Sequence, residues 1–293
     1  MIYDYAEKTQ KLLQGHCNLI TATACSKDKK WIVTGDTGRD SMLVVWDSHT
    51  GTPVKTIFDP HPHGVRAVDI SPDSQYIVTL SNMEKEDGAE DENTSTMASK
   101  GRQYMSLWDW MSGEREGPLV SSMVDPACDD LQTCVIFNPQ NIQEIATNGP
   151  KRVFFWSWDP AEPTFQYYAP PFRPTELKSQ IGRFTQTVFI PTSQQAVTGT
   201  VDGNIVVWDI SLIVDDNSEP DDRRAIKAVQ LNNNVAINVL CLQDDMLVTG
   251  NQDGTVRFYD FQFRIKAWFE NLDTKEILSI SFANEPPKPS TKF

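Results

Sequence analysis

Cysteine is scarce in this sequence, long apolar runs are absent, and positive charge is in deficit. The 293 residues include 5 cysteines and no Cys-x-x-Cys pair, which argues against a disulfide framework or a zinc site. No run approaches the roughly 20 apolar residues of a membrane helix, and the N-terminus lacks the apolar stretch of a signal peptide. We therefore expect a protein of a reducing, intracellular compartment that is not embedded in a membrane.

The charge balance excludes another group of functions. There are 26 lysines and arginines against 40 aspartates and glutamates, a formal net charge of −14. Such a chain repels the phosphates of nucleic acids and of anionic lipids, so we expect neither nucleic acid nor membrane as a partner. Long stretches of helical periodicity are also missing, which excludes an all-helical solenoid. Hydrophobic residues still make up 39% and aromatics 10%, enough for a substantial core.

What the sequence does contain is a repeat. A β-branched run followed by an aromatic residue and then aspartate occurs five times, and the last four aromatics lie about 50 residues apart. A period of about 40–45 residues plus loops is typical of WD40 blades. The five aromatic–aspartate pairs are Trp46-Asp47, Trp108-Asp109, Trp158-Asp159, Trp208-Asp209 and Tyr259-Asp260.

Each repeat predicts four short strands separated by turn residues. In the first repeat the strands are expected at 19–25, 30–35, 42–47 and 54–58, and Asp-Gly turns at 202–203 and 253–254 favour tight hairpins. The predicted fold is all-β: a WD40 β-propeller of four-stranded antiparallel blades, five full blades plus partial blades at both ends. The partial blades are expected from strands at 1–5, 9–13 and 277–282.

One domain is predicted, over residues 1–283, followed by a Pro-rich tail at 284–293. Acidic insertions interrupt it at 83–102 and 215–222. They are interpreted either as solvated loops or as docking segments for a basic partner. A sixth blade built from both ends would lack one strand, and an unpaired edge is an aggregation hazard. We therefore expect the chain to be a fragment, or to continue into further blades in its natural form.

A second pattern accompanies the aromatic residues. An aspartate lies six residues before three of the aromatics, and a threonine precedes each of these aspartates. This resembles the structural tetrad of WD40 blades, in which Trp, Thr or Ser, His and Asp form one hydrogen-bonded chain. Such a chain makes a buried carboxylate tolerable. The predicted members are His16, Thr34, Asp40 and Trp46 in the first blade, Thr198, Asp202 and Trp208 in the fourth, and Thr249, Asp253 and Tyr259 in the fifth.

Blades two and three carry Arg102 and Arg152 at the aspartate position, so no polar network is expected there. A Thr-His-Asp set also has the composition of a catalytic triad, but a set that recurs blade by blade favours a structural role. His61 and His63 each follow a proline, Pro60 and Pro62, which favours a rigid turn over a metal site. No catalytic residue, cofactor or metal is predicted.

A stretch rich in aromatics and proline follows the third repeat. Its residues Tyr167, Tyr168, Phe172 and Arg173 form either a rigid contact patch for a partner or a segment that packs across a blade edge. The sequence leaves both interpretations open.

Several segments resemble one family more closely than the general WD40 pattern requires. They are residues 14–20, 31–41 and 45–59 in the first blade, with similar stretches at 137–139, 154–158, 206–210 and 248–254. They resemble the WD-repeat cilia- and flagella-associated proteins of the calmodulin- and spoke-associated complex, at the base of radial spoke three.

That resemblance implies a non-enzymatic scaffold of the motile-cilium axoneme, within cytoplasm and cytoskeleton. It would anchor a radial spoke to the doublet microtubule and support regulation of dynein-driven motility. The implied partners are other axonemal and radial-spoke-base proteins, and calmodulin indirectly through the complex. Larger members of the family carry an EF-hand-like region, but no Asp-x-Asp-x-Asp-Gly loop with a closing Glu occurs here, so calcium binding is not carried over.

Two other classes of function are weighed against the scaffold. A general WD40 adaptor or substrate receptor in another intracellular complex would gather basic residues from several blades at one pocket. An enzyme built on a propeller would need a single, non-repeating constellation of catalytic groups, and none stands out in the sequence.

Overall fold

The computed structural model describes residues 1–4, 7–83, 101–113, 116–125, 130–172, 177, 181–191, 193–210 and 222–282. These ranges contain 22 β-strands and no α-helix. Twenty of the strands form five four-stranded antiparallel sheets, in which each strand pairs with the next along the chain. The five sheets are the blades of a β-propeller, so the predicted fold is confirmed.

The strands of a blade are named a to d from the centre of the ring outward. Blade 1 consists of β3 (Ile20–Cys25), β4 (Trp31–Asp36), β5 (Met42–Asp47) and β6 (Pro53–Phe58); blade 2 of β7 (Val65–Ile70), β8 (Tyr76–Ser81), β9 (Tyr104–Asp109) and β10 (Val120–Met123); blade 3 of β11 (Cys134–Asn138), β12 (Asn141–Asn148), β13 (Val153–Trp158) and β14 (Phe165–Tyr168); blade 4 of β15 (Phe184–Phe189), β16 (Ala196–Thr200), β17 (Asn204–Ile210) and β18 (Arg223–Gln230); blade 5 of β19 (Ile237–Gln243), β20 (Met246–Asn251), β21 (Val256–Tyr259) and β22 (Ile265–Phe269).

Burial follows position in the blade. Strands b and c are largely buried because neighbouring blades cover both of their faces, whereas the outermost strands β6 and β22 are mostly exposed. A strand covered on both faces reads as a continuous apolar run. This explains runs such as Met42–Asp47, with Leu-Val-Val-Trp at its centre.

Antiparallel order fixes where the turns lie. The a–b and c–d turns meet at one end of each blade, here called the AB/CD face, and the b–c turns meet at the other end. Two b–c turns carry the predicted Asp-Gly pairs, and their glycines Gly203 and Gly254 have φ of 78° and 79°. A left-handed backbone of this kind favours glycine.

The apolar core is divided among the seams between successive blades. Four separate clusters fill the seams 1–2, 2–3, 3–4 and 4–5. Inner strands add polar links: the Phe137 amide donates to Asp69 Oδ2 at 2.8 Å, and the Leu240 amide donates to Gln186 Oε1 at 2.9 Å. The ring is therefore held by packing across each seam and by hydrogen bonds near its centre.

The ends of the chain match the prediction only in part. Strands β1 (Ile2–Asp4) and β2 (Thr9–Lys11) pair as a separate two-stranded sheet. The strand predicted at 277–282 is not formed, although Ile277 packs over Gly250 and its amide donates to Asn251 O at 3.1 Å. Within the described ranges this segment belongs to none of the sheets. Residues 84–100, 211–221 and the tail from 283 lie outside the described residues.

Candidate partner-binding groove between the third and fourth blades

The predicted polar network of blade 1 exists, with one different member. The Trp46 indole donates to Thr34 Oγ1 at 2.7 Å, and Thr34 Oγ1 lies 2.6 Å from His16 Nε2. His16 Nδ1 then lies 2.8 Å from Asp36 Oδ2. With one proton per bond, the hydroxyl of Thr34 donates to Nε2, and the Nδ1–H of His16 donates to the carboxylate.

The carboxylate of this network is Asp36, so the prediction of Asp40 was wrong. Asp36 is fully buried and also accepts the Met42 amide at 2.6 Å. Asp40 is exposed in the b–c turn, with φ of 54°. Asp36, two residues after Thr34, still lies on strand b beside His16. Asp40, six residues before Trp46, already lies in the b–c turn.

Blade 2 also has a network, contrary to the prediction that Arg102 would leave it without one. The Trp108 indole donates to Thr79 Oγ1 at 3.0 Å, and His61 Nε2 lies 2.8 Å from the same oxygen. Burial lowers the pKa of His61 to about 4, so the ring is neutral at physiological pH. His61 is therefore a structural member of this network.

Blade 3 builds its network from other residue types. The Trp156 indole donates to Thr147 Oγ1 at 3.0 Å, and the Thr147 hydroxyl donates to Gln132 Oε1 at 3.0 Å. The network tryptophan is thus Trp156, and not the Trp158 of the repeat, which lies two residues later. Trp156 faces Ile145 across strands b and c of blade 3, just as Trp46 faces Ile32 in blade 1. The Asp130 carboxylate accepts the Arg152 amide at 2.7 Å, so the blade holds an acid despite Arg152.

In blade 4 the predicted pair of Thr198 and Trp208 is hydrogen-bonded, at 2.9 Å. Asp202 is not part of the chain of bonds and lies instead against Gly182. The Thr198 hydroxyl continues to Thr187 Oγ1 at 2.8 Å, and Thr187 donates to Asn148 Oδ1 of blade 3 at 2.8 Å.

In blade 5 the Tyr259 hydroxyl donates to Asn232 Oδ1 at 3.3 Å. Asp253 faces Arg257 at 3.7 Å rather than joining this bond. The buried Thr249 Oγ1 has no hydrogen-bond partner within the described residues. The predictions for Asp202 and Asp253 were therefore wrong for the reason that applies to Asp40: both acids lie in b–c turns.

A second set of aromatic residues fills the 1–2 and 2–3 seams at the AB/CD face. Trp31, the first residue of strand b in blade 1, packs edge-on against Trp110 of blade 2 with ring centroids 5.3 Å apart. Tyr76 and Trp158 make the same contact between blades 2 and 3, at 5.0 Å. The Trp110 indole donates to Ser74 O in the a–b turn of blade 2, and the Trp158 indole donates to Ile142 O near the start of strand b in blade 3, both at 2.8 Å.

The seam between blades 3 and 4 lacks this pair. Strand register places Glu144 where Trp31 and Tyr76 stand, since Glu144 faces Ser157 as Tyr76 faces Asp109. Ile210, two residues after the network tryptophan of blade 4, takes the place of Trp110 and Trp158. Neither side chain has the volume of an indole, and a cavity of about 960 Å³ opens here. It is called the 3–4 groove below.

A buried ion pair forms the floor of the 3–4 groove. The Arg223 guanidinium contacts both carboxylate oxygens of Glu144, one of them at 3.2 Å, and donates to Gln194 O at 2.8 Å. The Arg223 side chain is 6% exposed and stacks over Phe155 and Phe189 at 5.1 and 5.3 Å. Burial lowers the pKa of Arg223 to about 10, so the guanidinium remains charged at neutral pH.

The predicted aromatic contact residues form part of one wall. Tyr167 packs against Trp156 at 4.5 Å and is 40% exposed, and the Tyr168 hydroxyl accepts the Arg223 amide at 2.6 Å. Phe172 packs across the seam onto Trp208 at 5.8 Å. This stretch therefore packs across the blade edge while Tyr167 and Tyr168 line the groove. Arg173 lies outside the described residues.

The rim of the groove is acidic. Asp159 and Glu162 from the c–d turn of blade 3 are exposed, and Asp222 stands beside Arg223 at the start of β18. Together with Glu144 these are four carboxylates against the single guanidinium of Arg223, a formal charge of −3. The arrangement suits a cation whose aliphatic part lies on aromatic rings.

Sequence reasoning missed Glu144 and Arg223, which lie 79 residues apart. No local pattern links them, and only the strand register brings them together. Asp36 could have been found, because a polar residue also follows the threonine by two positions at Ser81, Thr200 and Asn251.

The described ranges contain neither a cluster of metal-binding side chains nor a membrane-crossing helix. No group of three or more His, Cys, Asp or Glu side chains there is arranged to hold a metal ion. Nor do these ranges include a helix with the length and apolar character needed to cross a membrane.

Comparison with known proteins gives three findings. A family model described as the CFAP251 N-terminal domain matches residues 1–293. Cilia- and flagella-associated protein 251 of Tetrahymena thermophila is 48% identical over 296 residues, covering 98% of this chain and 28% of that protein. The Chlamydomonas reinhardtii protein of the same name is 40% identical over 284 residues, covering 97% of this chain and 34% of that protein. The chain thus spans about a third or less of these relatives' length.

Among solved structures, the β-propeller domain of Cps50 (Swd1) from Myceliophteria thermophila superimposes with a TM-score of 0.62 and 14% sequence identity. The match covers 88% of this chain and 73% of that one. At this identity the likeness shows the fold alone, a β-propeller.

Proposed function

The chain belongs to the family of the CFAP251 N-terminal domain, and on that premise we propose that it is a non-enzymatic, protein-binding scaffold of motile cilia or flagella. In this proposal it sits on the axoneme, helps to anchor a radial spoke to the doublet microtubule, and supports regulation of dynein-driven motility. Its partners are other axonemal and spoke-base proteins, with calmodulin reached through the complex.

The observation that carries the proposal is the match along the whole chain. The family model covers residues 1–293, and relatives named cilia- and flagella-associated protein 251 are 48% and 40% identical over nearly all of it. Identity at this level extends well beyond the blade motif that all WD40 propellers share.

The chemistry of the blades supports a binding role over a catalytic one. The His–Thr pairs that resemble parts of a triad each bind a tryptophan indole, as at His16, Thr34 and Trp46. A hydroxyl bonded on both sides inside a blade is a structural element rather than a nucleophile. The 3–4 groove offers shape, charge and aromatic walls, which are the features of a recognition site.

The proposal is tested by tagging the protein at its natural locus in a ciliated cell and extracting isolated cilia with detergent and then high salt. We expect the tag to remain with the axoneme, and spoke-base proteins to be lost from the same fraction when the gene is deleted. A tag found in the cell-body supernatant would contradict the proposal and favour a WD40 adaptor in another complex.

A further inference from the structure

We propose that the 3–4 groove binds a basic, extended segment of a partner protein, with lysine or arginine side chains against its acidic rim. This deepens the proposed scaffold function, and rests on it, by naming the partner chemistry and the place on the ring. The occupant is a peptide segment in which cationic residues alternate with apolar ones.

The first step is that the groove results from an exchange of residues. Aromatic pairs close the 1–2 and 2–3 seams at this face, Trp31 with Trp110 and Tyr76 with Trp158. At the 3–4 seam Glu144 and Ile210 occupy the corresponding register positions. The blades remain joined by the apolar cluster beneath, which includes Phe155, Phe184 and Trp208. The opening is therefore local to one face of the molecule.

The second step is that the floor is pre-formed. Arg223 is bound by Glu144, Gln194 O and two aromatic faces. Asn138 also donates to Glu144 Oε2 at 2.5 Å. An arginine already neutralised in this way does not attract an anion, and its partners hold the groove in shape. A site ordered before binding loses less conformational entropy when a partner enters.

The third step is the sign of the charge. Beyond the Glu144–Arg223 pair, the exposed carboxylates lining the groove are Asp159 and Glu162, and the described lining contains no cation other than Arg223. Charge complementarity therefore selects a basic segment. Tyr167, 40% exposed on the wall, offers a ring on which the methylene stem of a lysine or the plane of an arginine can lie.

The size of the opening argues against a single ion or small cation. A volume of about 960 Å³ lies at the upper end of the range for small-molecule sites, about 300–1,000 Å³. The groove is also open along the seam, between the a–b and c–d turns of two blades. Several consecutive side chains of an extended peptide fit such an opening.

The test is fluorescence anisotropy with the 293-residue chain and a fluorescein-labelled nonapeptide of alternating lysine and leucine. A glutamate–leucine peptide of the same length is the control probe. We expect the lysine peptide to bind, its affinity to fall as salt is raised, and the glutamate peptide not to bind.

Three variants locate the binding. Asp159→Lys with Glu162→Lys reverses two exposed groove charges, and Glu270→Lys with Glu276→Lys makes the same change in net charge at exposed sites near blade 5. We expect the groove pair to weaken binding at least about tenfold and the distant pair to weaken it less than about twofold. Ile210→Trp narrows the groove without changing its charge and is expected to weaken binding about tenfold as well.

Equal weakening by both charge-reversed pairs would overturn the proposal, because it would trace binding to the acidity of the whole chain. Absence of binding by the unaltered chain would overturn it too. Axonemal retention is a separate readout. A chain that binds the peptide through the groove but is washed out of cilia would contradict only the scaffold proposal. A chain that is retained in the axoneme but shows no groove-dependent binding would contradict only the proposal that the 3–4 groove binds a basic segment.

Discussion

The 2–3 seam and the 3–4 seam are built from the same arrangement of strands, but they carry different side chains at the AB/CD face. The first is closed at the AB/CD face by Tyr76 against Trp158, whereas the second has Glu144, Ile210 and an opening of about 960 Å³. Both retain an apolar cluster closer to the middle of the blades. The comparison shows that a propeller can give up the aromatic contact at one end of a seam and still join its blades through the apolar cluster, and the space left is the one that we propose for recognition.

The largest effect is expected from opening a closed seam. Trp110→Ala in blade 2 removes a side chain that is 6% exposed and the edge contact to Trp31. We expect a loss of about 3–5 kcal/mol in the free energy of unfolding, the usual range for a buried aromatic residue replaced by alanine. Urea denaturation followed by tryptophan fluorescence measures it. A loss under about 1 kcal/mol would show that the aromatic contact does not hold the seam together.

The free energy of unfolding is expected to depend on the ion pair between Arg223 and Glu144 in the open seam. Arg223→Met leaves the Glu144 carboxylate, whose side chain is 17% exposed, without its cation. We expect a loss of about 2–3 kcal/mol, somewhat below the usual range for breaking a buried pair because Glu144 keeps some contact with water. Arg183→Met, at an exposed position, is the matched control. Equal stability of the two variants in urea would contradict the structural role of Arg223.

A change of pH tests the polar network of blade 2. Burial lowers the pKa of His61 to about 4, against an ordinary value of about 6.5 in the unfolded chain. Between these values the unfolded state binds more protons, so stability rises with pH and is lost as pH falls from about 6.5 towards 4. Lowering the pH from 7 to 5 is expected to cost about 2 kcal/mol through this group.

His61→Gln should remove that dependence, because Gln132 holds the same place in blade 3. The quantity to compare is the difference in unfolding free energy between pH 7 and pH 5 in the two proteins. Burial raises the pKa of Asp69 to about 7, which makes stability fall as pH rises. Because Asp69 is present in both proteins, its contribution cancels in the difference. An unchanged pH dependence in the variant would show that His61 is not the responsible group.

The smallest effect on stability is expected from closing the open seam. Ile210→Trp places at blade 4 the residue type that Trp110 and Trp158 supply in blades 2 and 3. Because the indole enters existing space, we expect the unfolding free energy to change by less than about 1 kcal/mol. A loss of several kcal/mol in thermal or urea unfolding would show that the 3–4 groove cannot take an aromatic side chain and that the two seams are not equivalent.

The blade plan could be predicted from the sequence because it repeats. The apolar run of the first repeat located β5 (Met42–Asp47) at its true bounds. The threonine and tryptophan of the networks were found in blades 1 and 4, where strand pairing places each threonine two residues after the residue that faces the tryptophan. Exposed turn acids such as Asp40 were mistaken for network members because the sequence shows spacing but not the point at which a strand turns.

The groove could not be predicted for a different reason. Its defining residues, Glu144, Ile210 and Arg223, come from two blades and occupy positions at which other blades carry different residues. A departure from a repeat becomes visible only when strand register aligns the blades residue by residue. The tyrosines were noticed as aromatic residues, but the Tyr168 hydroxyl is committed to the Arg223 amide, which no sequence pattern indicates.

The most direct test of the central claim is amide hydrogen exchange of the 293-residue chain with and without the lysine–leucine nonapeptide. The account predicts slower exchange on peptide addition in β14 (Phe165–Tyr168) and around Asp222 and Arg223. Exchange in β20 (Met246–Asn251) of blade 5 should be unchanged. Protection spread evenly around the ring, or confined to the b–c turns on the opposite face, would contradict the claim that the open seam is the recognition site.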